Sequence, residues 1–339
     1  MASTENKKRP SYERIPYALR PAKAIERRML CDVFRRLYPF QPITEYGYVG
    51  FGSIYFTDFQ LIHRDLGITE LISIERECEN EERFRLNLPF GCIDIRFSES
   101  KEVLPNLDWS KRRIVWLDYD GHLDQDALGD IGTVASKAQS GSMLVVSVNG
   151  QAESEPPDEQ RLHVERVTGE KFCVHTYRLQ RLSGRLGSKV PKPLVGKELR
   201  NDGLARISRK VILDEVKENL ATRNKFLDSN EKITFSQVVY FHYKDGALMM
   251  TLGLVFYEQR QAPLWNACKF TDLNFTREGE EPYLIKAPCL TLREVHHLNS
   301  YLPTNDLGSI DHRGIPEEDV LRYSEIYRYF PAFNEVIVT

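Results

Sequence analysis

The chain has 339 residues, 46 of them Lys or Arg and 49 Asp or Glu, for a formal net charge of −3. That balance excludes the whole-chain basic field that argues for nucleic acid, and 41% apolar content supports one large α/β domain with insertions, or two domains. No apolar run approaches a membrane span and the polar N-terminus has no signal-peptide core, so the expected setting is cytoplasmic, with no membrane partner.

Six cysteines are scattered without a CxxC or Cys/His cluster, which excludes a structural zinc site and suits reduced thiols. Residues 1–12 read as a disordered polar tail carrying Lys7-Lys8-Arg9. An amphipathic helix is predicted from Ala22 to Leu37, opened by Pro21, with Ile25, Met29, Val33 and Leu37 on its stripe. Arg20 and Lys23 read as a capped helix start, and Arg27-Arg28 and Arg35-Arg36 as a solvated face.

An alternation follows. Strands are predicted at Tyr46–Val49, Glu70–Glu75, Cys92–Phe97, Ile114–Leu117 and Ser142–Val148. Between them come a tight Gly50-Phe51-Gly52-Ser53 loop and helices over Ile54–Leu66, Glu77–Leu86, Ser98–Leu104 and Asp126–Gln139. Such alternation implies a mostly parallel sheet with right-handed crossovers. Residues 151–200 change character: acidic around Pro156-Pro157, then basic from Arg178 to Lys192, and they read as a lid with weak regular structure. A charged helix is predicted from Leu204 to Leu227, then an Asp245-Gly246 hairpin joining Thr234–Tyr243 to Ala247–Tyr257. Two helices, near Thr291 and Pro316, and an aromatic tract from Tyr323 to Phe333 close the chain. The segments are thus an N-terminal tail and helix (1–44), a β-α half (45–150), an insertion (151–232), a closing hairpin (233–258) and a C-terminal extension (259–339).

The strand ends carry the candidate chemistry. Ile114-Val115-Trp116-Leu117 runs straight into Asp118-Tyr119-Asp120-Gly121, as a buried strand does when it ends at a site. Such acids can hold a metal, take a proton or grip a polar ligand; they can also simply cap the next helix. Asn149 ends the fifth strand beside them. Glu75 ends the second strand, 25 residues after Gly50, where a carboxylate can accept both hydroxyls of a ribose. The glycine loop lets a ligand approach the backbone closely. Its Gly50-x-Gly52-x-x-Tyr55 spacing lacks the third glycine of a nicotinamide-binding fold. His63 and His296-His297 read as structural.

From about residue 45 to 257 this order resembles the class I S-adenosylmethionine-dependent methyltransferases. The whole chain also resembles a bacterial family generically labelled O-methyltransferase. The resemblance implies a Rossmann-like, seven-stranded, mostly parallel sheet with a late antiparallel hairpin. It implies S-adenosylmethionine as cofactor, with its amino-acid part at Gly50, Phe51, Gly52 and Ser53, its ribose at Glu75 and its adenine near Ser98 and Glu99. It implies an O or N acceptor beside Asp118, Tyr119, Asp120 and Asn149, with Asp118 foremost as base. Two departures stand out. The family's usual acid before the first loop glycine is Tyr48 here. The Asp-x-Asp of metal-dependent small O-methyltransferases is present at Asp118 and Asp120, but their Asp-Asn pair is Val148-Asn149, so no permanent divalent metal is expected. The alternatives are a silent nucleotide-sensing or partner-binding module of a bacterial defence system, using the insertion or C-terminal extension as its partner surface, and a nucleic-acid methyltransferase with a basic face near Arg178 to Lys192.

Overall fold

A computed structural model of the chain describes residues 20–331. The tail expected at 1–12, with its basic cluster, and Phe333 of the aromatic tract lie outside them. The elements are α1 (Pro21–Arg35), β1 (Gly47–Phe51), α2 (Thr57–Leu66), β2 (Glu70–Glu75), α3 (Glu81–Leu86), β3 (Ile93–Phe97), α4 (Ser100–Val103), β4 (Arg113–Asp118), α5 (Gln125–Lys137) and β5 (Met143–Asn149). Then come α6 (Asp158–Thr168), α7 (Val174–Leu186), α8 (Gly203–Arg223), β6 (Ile233–Lys244), β7 (Leu248–Glu258), α9 (Ala262–Ala267), β8 (Tyr283–Ile285), α10 (Leu292–Asn299) and α11 (Glu317–Ile326).

All the strands form one sheet in the order β3-β2-β1-β4-β5-β7-β6-β8. β1 to β5 run parallel, and β7 enters antiparallel beside β5. The expected seven strands are present, and β8 adds an eighth by pairing parallel with β6. Alternate residues of each strand serve opposite faces, and both faces are covered. Tyr48, Ile114, Trp116 and Val145 pack with Ile25, Met29 and Val33 of α1 and Phe59 of α2. Val49, Val115, Leu117 and Val146 pack with Ile131 of α5 and Val211 and Ile212 of α8. This two-sided burial makes the central strands largely apolar, with Ser73 and Ser147 as buried exceptions.

Three expectations need correction. The segment expected as a weakly ordered lid contains two regular helices, α6 and α7. Gly169, at φ +70°, ends α6 in the left-handed conformation that glycine adopts without steric cost. Leu182 and Leu186 of α7 are buried in the same hydrophobic core as Ile131 of α5 and Val211 of α8, which anchors that helix. The basic run there is extensively paired: Arg178 donates to the Glu153 carbonyl at 2.7 Å, Arg185 pairs with the Glu153 carboxylate, and Lys189 lies 2.8 Å from Glu215. Second, Gly50 and Phe51 belong to β1, and α2 starts at Thr57 rather than Ile54. The amide of Gly52 still donates to Ile74 O at 2.8 Å, so strand pairing runs past the expected loop. Third, α1 does not present Arg27 to solvent. Arg27 is buried and paired with Asp58 of α2.

The start of α1 is held by a residue far away in sequence. Asp245, in the β6–β7 turn, accepts the backbone N–H of Ala22 at 3.2 Å and of Lys23 at 2.9 Å. The other side of α1 is covered by the C-terminal extension: the Tyr329 hydroxyl donates to Asp32 at 2.8 Å, and Arg28 donates to Phe330 O at 2.8 Å. Asp245→Ala is expected to cost about 1 kcal/mol of stability, the usual worth of a helix cap. Thermal unfolding followed by circular dichroism checks this; an unchanged melting temperature would mean that the cap is dispensable.

Candidate active site

The carboxyl ends of β1, β2, β3 and β4 open into a cleft of about 490 Å³. Phe51, Gly52 and Ser53 line it from β1, Glu75 from β2, Ser98 and Glu99 from β3, and Asp118, Tyr119 and Asp120 from β4. Its carboxylates outnumber its basic side chains, so the cleft suits a cationic ligand.

Gly52 lies in close approach to its neighbouring strand. A Cβ there would lie 2.5 Å from Ser73 Oγ and 3.4 Å from Glu75 Oε2. The end of β1 thus runs tightly beside the end of β2, where Glu75 stands. Its Oε1 accepts the Glu77 N–H at 3.0 Å. Burial holds its carboxyl above the ordinary carboxylate range. Gly50 does not reach the cleft wall. It lies in β1 over the Tyr48 ring, and a Cβ there would sit 2.9 Å from the Tyr48 hydroxyl. Tyr48 is a buried core residue, edge-on to Phe59 at 5.3 Å. Ser98 donates to Glu102, and Glu99 pairs with Lys101, so both polar groups at the end of β3 are engaged.

At the end of β4 the residues divide. The Tyr119 hydroxyl donates to Asp130 of α5 at 2.8 Å, and its ring meets Phe51 edge-on at 5.0 Å. Asp120 is exposed on the rim and makes no hydrogen bond among the described residues. Asn149 stays out of the cleft lining. Its Oδ1 accepts the Gln151 N–H at 2.9 Å in a turn beyond β5, while its own N–H donates to Gly121 O at 2.9 Å.

Asp118 meets a partner that sequence reasoning placed elsewhere. Lys23, read as part of a capped helix start, is buried. Its Nζ lies 2.7 Å from Asp118 Oδ1 and 2.7 Å from Glu26 Oε2, and donates to the Tyr243 hydroxyl at 3.2 Å. It also sits 4.6 Å from the centre of the Trp116 ring, within cation–π range. Glu26 accepts from the Thr251 hydroxyl, Thr251 meets the Ser147 hydroxyl at 2.8 Å, and Ser147 accepts the Trp116 indole N–H at 3.0 Å. A polar chain thus runs from α1 through β7 and β5 to β4. Burial opposes the Lys23 charge, but Asp118 and Glu26 outweigh it and hold the ammonium pKa well above the ordinary lysine value. Burial raises the Asp118 and Glu26 carboxyls, against the pull of Lys23. The sequence did carry a signal: Lys23 and Glu26, spaced i,i+3, interrupt the apolar stripe of α1 among Ala22, Ile25 and Met29.

Two of the histidines bond backbone carbonyls away from the cleft. His63 Nδ1 bonds Ile68 O at 2.8 Å, and His297 Nε2 bonds Asp311 O at 2.5 Å. Among the described residues no group of three or more His, Cys, Asp or Glu is placed to hold a metal ion.

The strand order and the cleft at the carboxyl edge define a Rossmann-like methyltransferase fold of class I type. The chain belongs to the family described as "putative O-methyltransferase", whose profile matches residues 15–338. No curated protein matches the sequence. Among solved structures, Trm1 from Pyrococcus horikoshii with S-adenosyl-L-methionine is similar at 10% identity and TM-score 0.41, over 72% of this chain and 57% of that one. The plantazolicin methyltransferase BamL, solved with a triazolic desmethylPZN analog and SAH, is similar at 10% identity and TM-score 0.39, over 73% and 87%. The sugar N-methyltransferase KedS8 from Streptoalloteichus sp ATCC 53650 is similar at 10% identity and TM-score 0.30, over 43% and 56%. Likenesses this distant say nothing about activity.

Glu75 gives a pH prediction. Its folded pKa lies above its unfolded value. Above the folded pKa the carboxylate is ionised in both states, and its desolvation subtracts from stability. As pH falls through that pKa the folded chain takes up the proton first, and stability recovers. Glu75→Gln is therefore expected to raise the melting temperature at pH 7 and to lose that advantage in acid. A lower melting temperature at pH 7 would show that neighbouring donors stabilise the charge.

Proposed function

We propose that this protein is an S-adenosylmethionine-dependent methyltransferase acting on an O or N acceptor. The observation that carries the reading is the Gly52–Glu75 junction: a glycine held close against β2, with a half-buried carboxylate beside it, at the carboxyl edge of the sheet. Family membership supports it. Glu75 would hold the ribose hydroxyls, Gly52 and Ser53 the amino-acid part, and Ser98 and Glu99 the adenine side. When bound, the cofactor supplies an electrophilic methyl group on a sulfonium. The chain's own contribution is to orient the acceptor at the end of β4 and take its proton.

A second reading, ligand binding without turnover, draws on the tied state of two candidates: Asp130 holds the Tyr119 hydroxyl, and Gln151 engages the Asn149 amide. In both readings the protein binds the nucleoside; only the first transfers methyl.

Calorimetry with S-adenosylmethionine and S-adenosylhomocysteine tests the shared step. Glu75→Ala is expected to weaken both by about 10- to 100-fold, the worth of hydrogen bonds to a charged group. Failure of the wild type to bind either ligand sinks the proposal. Incubation with methyl-labelled S-adenosylmethionine and a panel of hydroxyl and amine acceptors tests the chemistry. Labelled product supports transfer, and tight binding with no labelled product across the panel favours the second reading.

A further inference from the structure

The residue that the methyl-transfer reading leaves unused is Lys23. Its ammonium donates to Asp118 Oδ1 and the Tyr243 hydroxyl and forms an ion pair with Glu26 Oε2 at 2.7 Å, so three oxygens surround the head group. It is delivered by α1, whose first turn is fixed by Asp245. The result at Asp118 is asymmetric. Oδ1 is held by Lys23 at 2.7 Å. Oδ2 makes no hydrogen bond among the described residues, and the side chain lines the cleft with 23% of its surface exposed. Burial favours the protonated carboxyl, and the neighbouring ammonium favours the ionised one.

We propose that Lys23 is a positioning residue for methyl transfer, pinning Asp118 through Oδ1 and keeping it ionised so that Oδ2 receives the acceptor's proton. This rests on the methyltransferase reading above. In the transfer, a lone pair on the acceptor oxygen or nitrogen forms the bond to the methyl carbon. The carbon–sulfur pair stays on sulfur, and the acceptor's proton passes to Asp118 Oδ2 and then to solvent. The groups that act on Asp118 are Lys23, Glu26 and Arg27 from α1, Asp58 from α2, Tyr48 from β1, Tyr243 from β6 and the neighbouring Asp120. Arg27 is already committed to Asp58, and Lys23 alone bonds to Asp118.

The test is a pH titration of the Asp118 carboxyl by carbon-13 NMR, in full-length protein labelled at aspartate side-chain carboxyls. Its resonance is assigned by its loss in Asp118→Asn. Lys23→Met is expected to move the midpoint up by about one pH unit or more, and Lys23→Arg to restore most of that shift. Lys23→Gln, which keeps a polar side chain without the charge, is expected to move it up as well, and keeps the test decisive if Lys23→Met does not fold. A midpoint that rises in neither Lys23→Met nor Lys23→Gln overturns the proposal. S-adenosylhomocysteine binding is measured on the same samples, and variants that fold are expected to stay within about tenfold of wild type. Loss of binding in the wild type would overturn the methyltransferase reading instead, while the titration judges the Lys23 pairing by itself.

Discussion

A lysine ammonium cannot stay charged inside a protein unless anions and hydrogen-bond acceptors replace the water it has lost. Lys23 meets that demand with two carboxylates and a phenol, drawn from its own helix, from β4 and from β6. Breaking a buried pair by removing one partner costs about 3–5 kcal/mol, because the charge left behind has no water to turn to. The consequence is geometric. The docking of α1 against the sheet is favoured in the register that brings Lys23 to Asp118, since a shift would leave Asp118 without its counter-charge. The chain Glu26–Thr251–Ser147–Trp116 carries the same constraint across three neighbouring strands.

Several features follow from that docking. Asp245 holds the N-terminal turn of α1 from the far end of the β6–β7 hairpin, so the last two long strands and the first helix position each other. Arg27, one turn further along α1, reaches the cleft wall and pairs with Asp58 at the start of α2. The C-terminal extension then covers the outer side of α1 through Tyr329 and Arg28. Segments before and after the sheet therefore both contribute to how the end of β4 is presented. Glu75 and Gly52, by contrast, belong to neighbouring strands and owe their juxtaposition to the parallel pairing of β1 with β2.

Much of the fold was legible because the central strands are largely apolar, being buried on both faces, and β2, β4 and β5 end in Glu75, Asp118 and Asn149. Glu75 and Asp118 were readable on that basis, and both line the cleft. What local pattern could not show depended on distant partners. Asn149 looked like a strand-end site residue, but its amide folds back onto its own turn. Gly50 looked like loop, but the Gly52 amide still pairs with β2 beyond it. The 151–200 segment looked irregular because glycines and prolines punctuate a highly charged stretch; α6 and α7 form between them, and α7 is anchored in the core by Leu182 and Leu186. Lys23 was hidden because a lysine near a helix start is ordinarily solvated. Only the tertiary arrangement places it against Asp118, although a Lys-Glu pair within an apolar stripe was already an anomaly in the sequence.

The most direct measurement is a crystal structure of the protein with S-adenosylhomocysteine. The account predicts the ribose hydroxyls on the Glu75 carboxylate, the amino-acid part over Gly52 and Ser53, the sulfur facing the end of β4, and Lys23 still on Asp118 Oδ1. A ligand seated elsewhere, or in the cleft with Lys23 swung away from Asp118, would contradict it.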